Sequence, residues 1–240
     1  MAATSVLRPV SFPMAARTDS LSTGTLSDLS KQSQEALRAV SMALGQRAGD
    51  ILFSEEELAK GVFILQQGKV KISTSSSDGK TLILRIATAG AVLGLSSVIQ
   101  NKPQETTAQV LETSKLSFVR RADLLRLMSE HGDLTLHMAK ELSLEYAGLC
   151  QELATIGLQR SAVSRLAQLF VGWSESTTLD RTNIEIECSL THEVIAQLIG
   201  TSRETVTRIL HDFRVGEIAT LKNDVLTIHD TRKLRALTNN

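Results

Sequence analysis

Arg203, Glu204 and Arg208 are the residues of this chain whose types and spacing most directly suggest chemistry. An arginine presents a planar fork of donors that matches guanine O6 and N7, and a glutamate can accept from cytosine N4. Neighbouring Ser and Thr hydroxyls can hold phosphates. To act together these groups must share a face, and the residues around them supply one. Ile195, Leu198 and Ile199 form an apolar face at helical spacing. Gly200 then breaks the helix where a tight turn needs a residue without Cβ. Thr201 or Ser202 can cap a second helix, in which Val206, Ile209, Leu210 and Phe213 form a buried stripe. Arg203, Glu204, Thr207, Arg208 and His211 fall on the opposite face. Two short helices joined by a Gly turn, the second with an Arg-rich outer face, describe a helix-turn-helix. The bland alternative is a solvated helix whose charges only keep the surface soluble. The agreement of turn, caps, apolar faces and charge placement favours DNA reading.

The elements that must position this face are legible upstream and downstream. Residues 34–42 read as a short helix. From 45 to about 119 the apolar period is two. Residues 61–68 read as a strand ending at a Gly turn and 69–73 as the next. Asp78-Gly79 is a hairpin signal before a strand over 81–87. There Leu82, Leu84 and Ile86 alternate with Ile83 and Arg85. The stretch from Gly90 through Gly94 to Pro103 reads as irregular, and strands resume over 106–119. Such an antiparallel module must close or stack to hide its apolar faces. Helical periodicity returns at Ala122. Over 131–158, Leu142, Tyr146, Leu149, Leu153 and Ile156 repeat at alternating spacings of four and three, an a/d seam. The seam predicts a dimer, and the alternative is a helix lying on its own β module. Ser161 can cap a further helix carrying Val163, Leu166, Leu169, Phe170 and Trp173. Residues 174–183 are a polar break, 184–188 a short strand, and 217–229 a hairpin that reads as a wing. The expected fold is α+β: a tail over 1–25, a β-roll over 26–130, a long dimerisation helix over 131–160 and a winged helix-turn-helix over 161–240.

Bulk properties bound the function. The 240 residues suffice for one large or two ordinary domains, and 42% hydrophobic content suits a globular chain. Formal net charge is zero, and residues 181–240 hold as many acidic as basic groups. DNA affinity must therefore come from local placement, doubled by a dimer, and not from a global field. The two cysteines, Cys150 and Cys188, form no Cys-x-x-Cys pair, so no zinc ribbon, iron–sulfur cluster or disulfide framework follows. Residues 1–25 lack the continuous apolar core of a signal peptide. No apolar run is long enough to span a membrane, so we expect a cytoplasmic protein. There is no Gly-x-Ser-x-Gly, phosphate-binding loop or His-Glu-x-x-His, so no enzyme is expected.

The run Leu-Thr-His-Glu-Val-Ile-Ala-Gln-Leu-Ile-Gly-Thr-Ser-Arg-Glu-Thr-Val-Thr-Arg-Ile-Leu from Leu190, followed by the wing, resembles the cyclic-AMP receptor/fumarate-nitrate regulator (CRP/FNR) family of bacterial transcription factors. The β module, with Gly68, Asp78-Gly79, Gly90 and Gly94, looks like that family's jelly-roll, cyclic-nucleotide-binding-like sensor. The order of domains fits too, so the resemblance covers about 30–238. It implies that Arg203, Glu204 and Arg208 read base edges in the major groove, at a half-site similar to TGTGA. It implies phosphate contacts from Thr191, Ser202 and Thr205, to which we add Thr207 on the same polar face. It implies double-stranded DNA, a second copy of the chain and RNA polymerase as partners. Val194 departs from the Glu that completes a capping box in many members.

The sensor site departs further. Nucleotide-binding members carry a Glu and an Arg-Ser pair where this chain has Leu95-Ser96-Ser97 after Gly94, and Thr106-Thr107. A leucine cannot accept from a ribose hydroxyl, and a threonine cannot pair bidentately with a phosphate. Cyclic AMP in the usual pose is therefore not expected, although Gly94, Leu95, Ser96, Ser97, Thr106 and Thr107 remain the expected effector pocket. Haem is not expected either, since none of His131, His137, His192, His211 and His229 maps to that pocket. The effector stays unassigned. Cys150 lies beside the seam, where its symmetry mate could approach; we read it as a small buried hydrophobe. The alternative function is a cyclic-nucleotide-type ligand-binding module with incidental DNA contact.

Overall fold

The computed structural model of the chain describes residues 8–9, 28–158, 161–175 and 183–239. They divide into two units, Thr18–Cys150 and Gln151–Asn240 together with Met1–Arg17. Of the tail expected over 1–25, only Arg8 and Pro9 fall among the described residues; they form a two-residue strand, β1 (Arg8–Pro9), in the second of these units.

The Thr18–Cys150 unit opens with α1 (Lys31–Val40), three residues earlier than the sequence pattern suggested. Ser30 sets that start, because its hydroxyl accepts from the Ser33 N–H. Eight strands follow: β2 (Met42–Gln46), β3 (Ile51–Phe53), β4 (Gly61–Gln67), β5 (Val70–Ser75), β6 (Thr81–Ala87), β7 (Val92–Leu93), β8 (Thr107–Val110) and β9 (Ser114–Arg120). They form two four-stranded antiparallel sheets, β2-β9-β4-β7 and β3-β8-β5-β6. Phe53, Leu65, Val70, Ile72, Leu93 and Leu116 pack the sheets together. Successive residues of a strand face opposite ways, so Val62 and Ile64 of β4 point instead into a second core with Leu37, Leu124, Leu127, Leu134 and Met138. That core is closed by α1, α2 (Leu95–Gln100), α3 (Arg121–Glu130) and the start of α4 (Gly132–Leu158). Among its tethers, the Ser30 N–H and the Ser33 hydroxyl donate to Asp133 at 2.9 and 2.6 Å.

Two expectations need correction here. The stretch over 90–103 is not irregular: it holds β7 and the helix α2, which ends at Asn101 in a left-handed conformation (φ 55°). Strict alternation along β6 also fails. Ile72 pairs with Arg85 but Ser73 with Ile83, so Leu84 is an extra residue in the ladder. A β-bulge of this kind re-aims side chains. Ile83 and Ile86 are buried, and Leu84 and Arg85 are both half-buried and line one cavity.

In the other unit, α5 (Ala162–Glu175) precedes β10 (Ile184–Glu187), α6 (His192–Ile199), α7 (Arg203–Val215), β11 (Ala219–Lys222), β12 (Val225–Ile228), α8 (Thr231–Ala236) and a 3-10 turn (Leu237–Asn239). The sheet order is β1-β10-β12-β11, with β1 parallel to β10 and the rest antiparallel. Phe170 and Trp173 of α5 are fully buried, and Phe170 meets Phe213 of α7 edge-on at 6.3 Å. Helix α7 thus rests on an aromatic floor, a contact beyond simple area burial. The β11–β12 turn puts Asn223 and Asp224 at φ 52° and 59°, the signature of a type I′ hairpin.

Candidate functional site

Each end of the helix pair is built by its own sequence. Thr191 caps α6 by accepting from the Val194 N–H at 3.2 Å. Gly200 closes it in the left-handed region, φ 62°, returning its N–H to the Ala196 carbonyl. Of the two candidate caps for α7, Ser202 serves: its Oγ accepts from the Thr205 N–H at 3.2 Å. Arg165 of α5, which the sequence reading did not single out, donates from Nε to the Ile199 carbonyl at 2.7 Å and from Nη2 to the Gly200 carbonyl at 3.3 Å. It fixes the turn by satisfying carbonyls that α6 leaves open.

On α7, Val206, Ile209, Leu210 and Phe213 are buried, and Arg203, Glu204, Thr207, Arg208 and His211 are exposed on the opposite side. Its N-terminus carries the partial positive charge of the helix, which suits a phosphate. The Glu204 carboxyl is held below the usual carboxylate range, first by its own backbone N–H, then by the Ser202 hydroxyl and the Arg203 charge. It is therefore ionised and available as an acceptor. The Thr207 hydroxyl donates to the Arg203 carbonyl and lies 3.0 Å from His192 Nδ1, so its bonds are internal. Sequence reasoning also passed over Arg214 and Lys222. With His192, Thr207, His211 and Thr220 they line an open cleft of about 620 Å³ beside α7 and the wing. Only the structure brings residues of a helix and a hairpin to one cleft.

The second candidate site is a cavity of about 210 Å³ in the Thr18–Cys150 unit. Gly94, Leu95, Ser96, Ser97 and Thr106 line it as expected. Gly94 has φ +78°, and a Cβ there would meet the Gln104 amide at 2.9 Å, so only glycine fits. Thr107 is not part of the wall; its Oγ1 accepts from the Glu55 N–H at 3.2 Å, which corrects its inclusion. Three seam residues, Leu142, Tyr146 and Leu149, line the same cavity, while the side chains of Leu153 and Ile156 lie outside the described residues. Leu142 and Leu149 are half-buried and Tyr146 is 71% exposed. Arg85 and Glu145, with Glu105, carry the charge of the wall, and the first two are joined Nη2 to Oε1 at 2.9 Å. They stand far apart in sequence and on different kinds of element, so no local pattern could pair them. Cys150 is exposed in the single chain, not buried as expected, and Cys188 is the buried one. His137 is buried in the helical core, away from the cavity wall. No helix among the described residues is long and apolar enough to cross a membrane.

Comparison with known proteins agrees with this geometry. Residues 46–131 match the family described as "Cyclic nucleotide-binding domain", and residues 151–237 the "Crp-like helix-turn-helix domain". The "Anaerobic regulatory protein" of Bacillus subtilis is 26% identical over 208 residues, spanning 86% of this chain and 84% of that protein. The "CRP-like cAMP-activated global transcriptional regulator" of Mycobacterium tuberculosis is 27% identical over 192 residues, 78% of this chain and 83% of that one. The solved structure of FixK2 from Bradyrhizobium japonicum superposes with a TM-score of 0.69 at 18% identity, covering 82% of this chain and 97% of that chain. With a nucleotide-binding-type β-roll, a long helix and a capped helix-turn-helix in one order, the chain belongs to the CRP/FNR family of DNA-binding transcription regulators, which are not enzymes.

Proposed function

We propose that the chain is a homodimeric regulator that binds a TGTGA-like palindrome and answers to a signal received in the β-roll. The observation that carries the DNA reading is the single exposed face of α7 that presents Arg203, Glu204 and Arg208 just after the Ser202 cap. Thr191, Ser202 and Thr205 flank it as phosphate contacts, although the Ser202 and Thr205 hydroxyls also bond each other at 3.1 Å, so one of those two protons must be released to reach a phosphate. Thr207 joins them only if its internal bonds to Arg203 and His192 yield. The dimer reading rests on the stripe Leu142, Tyr146, Leu149, Leu153 and Ile156, whose member Tyr146 leaves a large ring in water. In such an assembly a change in the β-roll shifts the population of long-helix arrangements and hence the spacing of two recognition helices. RNA polymerase is the further partner and the cytoplasm the compartment that this role requires.

Cyclic AMP does not fit the β-roll. Leu95 and the hydroxyls of Ser96, Ser97 and Thr106 stand where a phosphate and a ribose need a cation and a carboxylate. The cyclic-AMP dependence in the mycobacterial relative's name is therefore not carried over. The deciding experiment is fluorescence anisotropy with a labelled palindrome and a random duplex. Arg208→Ala is expected to weaken the palindrome by about 1–3 kcal/mol per half-site and to relax preference at one guanine. Equal loss on both duplexes removes the base-reading role.

A further inference from the structure

Arg85 has properties that DNA binding leaves unused. The bulge in β6 aims it, with Leu84, at the cavity. Its side chain is 13% exposed and makes one charge-assisted bond, to Glu145 of the long helix. Its Nε is buried with no hydrogen-bond partner among the described residues. A guanidinium has five donors in a rigid fork, matched best by a bidentate carboxylate or phosphate. Arg85 is thus a buried cation with unfilled capacity, facing space. Among the described residues it is also the one cation on the cavity wall.

The rest of the wall selects among anions. Phe53, Ile72, Leu84 and Leu142 are apolar, and hydroxyls come from Ser96 and Thr106. A second full negative charge would find no further cation among the described wall residues, and Glu145 and Glu105 would repel it. At about 210 Å³ the space is below the roughly 300–1,000 Å³ of drug-sized sites, which suits a small metabolite. One turn before Glu145, Glu141 has an Oε1 without a hydrogen-bond partner among the described residues, and burial pushes its carboxyl up against the pull of Arg85.

We infer that this cavity binds a small monocarboxylic acid with an apolar body, whose carboxylate takes the Arg85 guanidinium from Glu145. The inference deepens the reading of the β-roll as the sensor and rests on it. Release of Glu145 unties β6 from the long helix beside Tyr146 and Leu149, which line the same cavity and belong to the proposed seam. The ligand would thereby bias the helix without touching the recognition unit.

Isothermal titration of the full chain with hexanoate, benzoate, hexanol and inorganic phosphate tests this. Hexanoate or benzoate should bind saturably, and hexanol and phosphate should bind at least about tenfold more weakly. Arg85→Gln should weaken the acid by about tenfold or more, with Arg85→Lys intermediate because it keeps charge but loses the fork. Glu145→Gln should strengthen it several-fold, since a competitor is removed. Circular dichroism melts check that each variant folds; if Arg85→Gln does not, Glu145→Gln and Arg85→Lys carry the comparison. No binding of either acid, equal binding of phosphate, or weaker binding by Glu145→Gln each overturns the proposal. The titration contains no DNA, so its failure leaves the palindrome reading standing, and failure of the anisotropy experiment leaves this one standing.

Discussion

At the scale of single residues, Arg165 and Ser202 would serve the proposed base reading without meeting a base themselves, by fixing the turn and the start of α7. Arg165 ties α5 to the last carbonyls of α6 by two bonds, one of them short at 2.7 Å. Arg165→Ala should cost about 1–3 kcal/mol in urea unfolding of the DNA-binding unit, because two carbonyls lose a charged donor. It should also weaken palindrome binding without changing base preference. A shifted base preference in a binding-site selection would instead make Arg165 a reader. Glu204 was legible from sequence by its place on the polar face. Its tie to the Ser202 hydroxyl and its own N–H was not, since both bonds depend on the cap geometry. Arg85 and Glu145 were missed for a different reason. Alternation in β6 assigns Arg85 to a face that the bulge then changes, and an extra residue in a ladder leaves no mark on composition.

At the scale of elements, the ties between helix ends matter most. Asp133, at the start of α4, accepts from the Ser30 N–H and the Ser33 hydroxyl of the α1 cap. The Ser33 hydroxyl and then the Ser30 backbone hold its carboxyl well below its ordinary value of 3.8. A carboxyl lowered by folding adds stability above its unfolded pKa and loses it as pH falls through the folded one. Asp133→Asn should therefore melt at a lower temperature than the wild type near about pH 7, and the gap should begin to narrow below about pH 4 and keep narrowing as pH falls further. A gap that is constant across that range would mean that packing, not charge, sets the tie. Elements with strong local signals were readable: the Gly200 turn, the Ser202 cap, and a wing whose Asn223-Asp224 turn suits positive φ. The helix α2 was not, because six residues with Ser-Ser and Val-Ile are too short to show a period.

At the scale of the whole molecule, assembly is the property that one chain least determines. Placing a glutamate at position 153 would bury an unpaired charge twice in a two-fold seam. Leu153→Glu should therefore sediment as a monomer at micromolar concentration while keeping its helix content. A dimer that persists would move the interface elsewhere. The order of domains was readable because each change of period, from two to three-and-a-half, marks a change of architecture. Assembly was readable only as a stripe, and Leu142 and Leu149 show that such a stripe also serves its own cavity. The strand β1 closes the same theme in a different currency, that of time. Arg8 and Pro9 lie parallel to Ile186 and Glu187 at the edge of the C-terminal sheet. They leave the ribosome long before that sheet exists, so the strand that covers the edge of β10 must wait for β10 to be made. A fragment that begins at Gln151 would keep this edge open for good, and an open edge is a template for pairing with other chains. Anyone expressing the DNA-binding half alone should therefore restore a strand there or expect it to self-associate.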